Sequence, residues 1–139
     1  MKLSIIDGSN YFKGLLLLIR KDRKIVPAEI ILMKRIGKTL GFEAEFCDNA
    51  IQEILDNRFI VDAPPEFSTE DLAVKFIKDG LALAHSDGEI HPEEEEWLRS
   101  VAEKNGIDPE VFSREREAAA MGTKFPGRLE VDDMTVVYS

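Results

Sequence analysis

The chain is poor in the residues that mark secreted, membrane-bound or catalytic proteins. It has one cysteine, Cys47, in 139 residues. No internal disulfide can form, and a reducing, cytoplasmic setting is expected. Cys47 is read as a small buried apolar residue and not as a reactive thiol, since no histidine lies near it in sequence. Long apolar runs are also missing. The longest, Leu15 to Ile19, is far short of the ~20 residues a membrane span needs, so no span is expected. The opening Met1-Lys2-Leu3-Ser4-Ile5-Ile6-Asp7 reaches an aspartate before any sustained apolar stretch, and no signal peptide is expected. With two histidines and one cysteine, no Cys/His zinc quartet is present. There is no glycine-rich phosphate loop, no serine-nucleophile elbow and no catalytic-cysteine signature. An enzyme is therefore not expected.

What is present suits a globular domain. Hydrophobic residues make up 44% of the chain and charged residues 32%, too apolar a mixture for disorder. A domain of this length removes roughly two-thirds of its unfolded surface from water, enough for a core of its own. The net charge of −9 is unevenly spread. Residues 1–40 hold nine Lys/Arg and three Asp/Glu, a balance of +6, while residues 41–139 hold nine and twenty-four, a balance of −15. An acidic chain with pI near 4.8 is a poor nucleic-acid binder, and none is expected. The basic cluster Arg20, Lys21, Arg23, Lys24, Lys34, Arg35 and Lys38 has no interleaved aromatics. It reads as a solvated face or as a docking patch for a protein partner.

Sliding the sequence past itself by 65 residues reveals a duplication. Without a gap, Asp22 meets Asp87, Ile25 meets Ile90, Pro27 meets Pro92, Glu29 meets Glu94, Ile36 meets Val101 and Gly41 meets Gly106. Each copy reads as helix, turn, helix, glycine stop, helix. Asn10 is the expected cap of a first helix running to about Lys21. Pro27 opens a second, to Lys38, and Gly41 ends it before a third from about Glu43 to Leu55. Asn57 to Phe67, with Pro64-Pro65, reads as the linker. Ser68 with Asp71 resembles a capping box for a helix to about Ser86. Pro92 opens the next helix, Gly106 closes it, and Asp108-Pro109 starts a last one to about Met121. The expected fold is all-α, a compact bundle of about six or seven helices with an internal pseudo-two-fold duplication. The expected domain spans residues 1–121, with copies at about 11–56 and 76–121, followed by an extended or loose tail over 122–139.

The second helix of each copy carries an acid on its core side. Glu29 precedes Leu32, Met33 and Ile36 by three, four and seven residues, and Glu94 stands in the same relation to Trp97, Leu98 and Val101. Each follows an aspartate, Asp22 or Asp87, by seven residues. A carboxylate at a core edge is costly unless it is paired, hydrogen-bonded or on a cation. Two readings remain open. With Val26 and His91 as helix caps, both glutamates sit at the third helical position, where they can bond back to the cap amide and complement the dipole. Alternatively, a two-fold arrangement converges Asp22, Glu29, Asp87 and Glu94 on one all-oxygen site suited to Ca²⁺, Mg²⁺ or Mn²⁺. An EF-hand is excluded because Leu83 falls at the first ligand place and Arg23 replaces the required glycine in the first copy. A di-iron centre lacks its repeated Glu-x-x-His motif, and His85 and His91 read as helix-terminal residues. Glu93, Glu95 and Glu96 read as a solvated first-turn face, or as an acidic surface for a basic partner.

The duplicated helix-Asp-turn-helix pattern, above all Asp87-Gly88-Glu89-Ile90 to Glu94 leading into Trp97-Leu98, Val101-Ala102 and Gly106-Ile107, resembles the TerB-like family of tellurite-resistance and stress operons. The resemblance covers roughly Tyr11 to Ala118. It implies a bacterial helical bundle with internal pseudo-symmetry and no known catalytic activity. It also implies a suspected metal site, which maps onto Asp22, Glu29, Asp87 and Glu94. In the first copy Arg23-Lys24 stand where the second has Gly88-Glu89, a departure that weakens the first copy's match to the pattern. The function this implies is a non-enzymatic divalent-cation-binding module in a stress or tellurite-resistance response. The alternative is a metal-free protein–protein interaction domain.

Overall fold

A computed structural model describes residues 1–21, 27–56, 63–85, 90–121 and 129–137. Among them are six α-helices: α1 (Ile5–Arg20), α2 (Pro27–Leu40), α3 (Ala44–Asp56), α4 (Glu70–Ala84), α5 (Pro92–Lys104) and α6 (Pro109–Ala120). Two short strands, β1 (Lys2–Leu3) and β2 (Thr135–Val136), pair in parallel, and a 3-10 turn spans Glu130–Asp133. The architecture is the expected all-α bundle.

The two halves repeat at the predicted spacing of 65 residues down to individual backbone bonds. Ser4 caps α1 by accepting the Asp7 N–H, and Thr69 caps α4 by accepting the Leu72 N–H. Gly41 and Gly106 end α2 and α5 with φ of +97° and +72°, the left-handed region that favours glycine. The next residue donates back into the finished helix at each stop, Phe42 to the Gly37 carbonyl and Ile107 to the Ala102 carbonyl, both at 2.9 Å.

Helices α1 and α4 form the centre. Tyr11, Phe12, Leu15, Leu16, Leu18 and Ile19 are all buried, so beyond its first turn α1 is apolar on most sides and covered on most of them, with Lys13 exposed. It packs on α2, α3, α4 and α5, while α4 packs on α5 and α6. Equivalent residues meet across the middle: Tyr11 and Phe76 stack edge to face at 5.3 Å. Gly14 lies under Phe76, and its two-fold mate is Asp79, which lies against Tyr11. Contacts that exchange copies in this way are the mark of a two-fold relation. Backbone approach sets the spacing, since a Cβ on Gly80 would come within 2.7 Å of Leu98 and 3.2 Å of Leu18.

Two expected helix starts are corrected. Asn10 lies inside α1 and Ser4 is the cap. The first turn of α1 inverts the usual pattern, with Ile6 74% exposed and Asp7 buried, which disguised it as a non-helical lead. Ser68 does not cap α4. Its N–H and hydroxyl both donate to Asp7, at 3.1 and 2.5 Å, and Thr69 takes the capping role. These bonds tie the start of α1 to the start of α4. Among the described residues of the tail, Thr135–Val136 form a strand after the 3-10 turn at Glu130–Asp133. Leu129, Val131, Met134 and Val136 enter the core, against α2 and α4.

Candidate functional site

The four acids expected to form a metal site divide into two pairs. Asp22 and Asp87 lie outside the described residues. Glu29 and Glu94 are the third residues of α2 and α5, and they are 3% and 2% exposed. The local sequence explains their placement. Pro27 and Pro92 each fix the first helical φ, and the apolar residues three, four and seven positions later turn that side of the helix into the core. The glutamates are thereby carried inward at symmetric places in the two copies.

Glu94 makes a bond expected of a helix start: its Oε1 accepts the His91 N–H at 3.1 Å. His91 is exposed and caps α5, while His85 caps the end of α4 with its N–H directed to the Leu81 carbonyl. Leu83, the first-ligand position of the rejected EF-hand, is buried in the core. Among the described residues no group of three or more His, Cys, Asp or Glu side chains gathers as a metal site. Glu93 and Glu96 face solvent, whereas Glu95 is half-buried and paired with Arg116.

Sequence reasoning missed two other buried acids. Asp79, 2% exposed, accepts the Tyr11 hydroxyl at 2.6 Å and the N–H groups of Glu130 and Val131 at 2.7 and 2.9 Å. Burial outweighs these donors and lifts its carboxyl to about 6. The Tyr11 hydroxyl is held well above its ordinary range, first by burial and then by the Asp79 charge. Asp7 is the other. The signal used for Glu29 was available for Asp79, which stands three residues after Phe76 and four before Leu83 on the core face of α4.

A family model described as "Tellurite resistance protein TerB" matches residues 15–117, which takes in the last turns of α1 and the whole of α2 through α5. The chain belongs to the TerB family. The match spans both copies of the duplicated unit, so the TerB fold here is the pair of three-helix units and not either one alone. It ends inside α6, leaving the C-terminal segment outside the TerB match. Neither a curated protein nor a solved structure matches the chain. No helix among the described residues is long and apolar enough to cross a membrane.

Proposed function

We propose that this TerB-family chain is a non-enzymatic, cytoplasmic module that binds a divalent cation through Asp22, Glu29, Asp87 and Glu94, within a bacterial stress or tellurite-resistance response. One observation carries the reading: two glutamates at symmetric helix starts are both buried, at 3% and 2% exposure. Burying a carboxylate twice in the same manner is costly unless hydrogen bonds or a cation offset it. The donor set fits a hard ion, since all four candidates offer carboxylate oxygens, and calcium, magnesium or manganese is the matching class. Glu29 and Glu94 would hold the ion from the core side, with the aspartates that precede them in each copy completing the set. Such an ion would tie the two copies together by charge neutralisation.

Mass action supplies the test. An ion binding only the folded state at a hundred times its Kd adds about 2.7 kcal/mol, roughly a 10 °C rise in melting temperature for a domain of this size. Thermal melts of the wild-type chain with millimolar CaCl₂ or MnCl₂ are expected to show that rise, and Glu94→Gln and Asp87→Asn are expected to lose most of it. An unchanged melting temperature, or variants that respond like wild type, removes the metal site.

A second reading is favoured by the bond from the His91 N–H to Glu94. Here the acids serve only as caps, and the chain is a metal-free interaction domain for a protein partner. Its candidate surfaces are the basic N-terminal side, where Lys34 and Lys38 are exposed, and the acidic α5–α6 side with Glu93, Glu96, Glu103 and Glu110. A metal-insensitive melt combined with an intact fold in Glu94→Gln is its signature.

A further inference from the structure

The C-terminal segment 129–137 is attached to the helical bundle by a small number of identifiable ties. Leu129, Val131, Met134 and Val136 supply apolar contact, β2 pairs with β1, and Arg35 of α2 holds Asp132 at 2.6 Å. The most deeply buried polar tie is Asp79, whose two oxygens accept the first two N–H groups of the 3-10 turn. Those N–H groups have no partner inside their own turn, so the carboxyl of α4 supplies what the turn lacks.

The Asp79 site satisfies its hydrogen bonds in two protonation states. Ionised, Asp79 accepts three donors: Tyr11, Glu130 and Val131. Protonated on Oδ2, it can donate to the Tyr11 oxygen, because the Tyr11 hydroxyl has a second acceptor at 3.1 Å, the Lys75 carbonyl. The hydroxyl then turns to that carbonyl while the two backbone N–H groups stay on the carboxyl. Neither state leaves a buried donor orphaned, but only the ionised one holds a charge at 2% exposure. A cleft of about 180 Å³ lined by Lys78, Asp79, Ala82, Leu129 and Glu130 opens beside the carboxyl and gives protons a route to it.

We propose that Asp79 is a proton-operated latch on the C-terminal segment, which is held more firmly when the carboxyl is protonated and more loosely when it is ionised. The surrounding charges agree with this direction. On α4 itself Lys75 and Lys78 flank it, and Lys78 is shared between Glu130 at 3.7 Å and Glu115 of α6 at 4.0 Å. From the 3-10 turn Glu130 faces it and opposes its ionisation. Asp132, farther along that turn, is taken by Arg35 of α2. From α1 the neighbour is the neutral Tyr11, and α5 meets this part of α4 with the apolar Trp97 and Leu98. Among the described residues no cation is placed against the carboxyl to favour its charge.

The sign follows from linkage. A carboxyl raised from 3.8 to about 6 binds its proton more tightly in the latched state than when released to solvent. The extra hold is complete below about 3.8 and is lost as pH rises through about 6. Full release to the ordinary value would change the latched-to-released ratio by about a hundredfold, since 2.2 units separate the two values.

Hydrogen exchange on the intact wild-type chain, corrected for intrinsic rates, reads this ratio at the Glu130 and Val131 amides between pH 4.5 and 8. The carboxyl carbon of Asp79, followed by NMR, reports its titration in the same samples. The expected result is a fall in protection of at least threefold, up to about thirtyfold over this pH range, that levels off where Asp79 titrates. It should be larger than any change at the Leu15 and Phe76 amides, which report global opening. A fall smaller than threefold, an increase, a fall that continues well above the Asp79 titration, or Glu130 and Val131 amides that exchange only together with the core overturns the proposal. Asp79→Asn, if it folds, is expected to remove the pH dependence. The wild-type titration decides the matter without it.

Discussion

Replacing Gly37 with alanine is expected to destabilise the protein, although alanine is the better helix former by up to about 1 kcal/mol. Gly37 lies in α2 where it crosses α3. A methyl group there would overlap the Cys47 sulfur and press on the Phe12 ring at 3.1 and 3.4 Å. Phe12 is fully buried, and Cys47 is nearly so. Its thiol is inert packing, pushed above its ordinary range by burial first and by Asp48 second. Overpacking a closed core costs about 1–3 kcal/mol, and the overlap with the sulfur puts this site in the upper part of that range, so the net loss for Gly37→Ala is about 1–2 kcal/mol once the propensity gain is deducted. Cys47→Ala removes one buried heavy atom and is expected to cost about 1 kcal/mol. In the double variant the new methyl occupies the space the sulfur vacates, so the pair should be more stable than Gly37→Ala alone. A favourable coupling of about 1–2 kcal/mol follows. Urea unfolding of the four proteins at pH 7, with a common slope on denaturant, measures the cycle. Additivity within about 0.5 kcal/mol, or a Gly37→Ala variant no weaker than wild type, would refute the claim that this contact sets the α2–α3 spacing. The second copy solves the same crossing with Ala102 and Phe112 at the equivalent positions, both buried.

Tyr11→Phe deletes the hydroxyl shared by Asp79 and Lys75. At pH 8, with Asp79 ionised, the loss is expected to be about 2 kcal/mol, the value of a hydrogen bond to a charged group. At pH 5 Asp79 is mainly protonated, and the loss should be about 1 kcal/mol, so urea melts that show equal losses or a larger one at pH 5 contradict the assignment. Gly41→Ala and Gly106→Ala should each cost roughly 1–2 kcal/mol, because both have positive φ and an added Cβ meets nothing within 4 Å. The penalty is thus purely conformational. A neutral effect at either glycine, read by the same melts, would argue against the equivalence of the two helix stops.

Much of this architecture is written locally. The duplication, the proline starts at Pro27 and Pro92, and the stops at Gly41 and Gly106 follow from residue chemistry within one or two turns, and they stand where the sequence puts them. The inward turn of Glu29 and Glu94 is equally legible, since a position on a helix relative to Leu32 or Leu98 fixes the face it shares. Whether those glutamates meet Asp22 and Asp87 is not a local matter, because it depends on how two turns far apart in sequence are brought together. Asp22 and Asp87 lie outside the described residues.

Tertiary structure decided what needed partners remote in sequence. Ser68 binds Asp7 across 61 residues, Asp79 holds Val131 across 52, and β1 pairs with β2 from opposite ends of the chain. Periodicity says that Asp79 points inward but cannot say what meets it. Two of its three partners are backbone N–H groups, which every residue but proline carries, so they leave no trace in composition. For this protein the helices, their proline starts and glycine stops, and their inward faces belong to the sequence, while the starts of α1 and α4 were settled by contacts between them. The closure of the C-terminal segment over α2 and α4, and the protonation chemistry of the acid beneath it, belong to the fold, because burial and long-range hydrogen bonds exist only once the copies have packed.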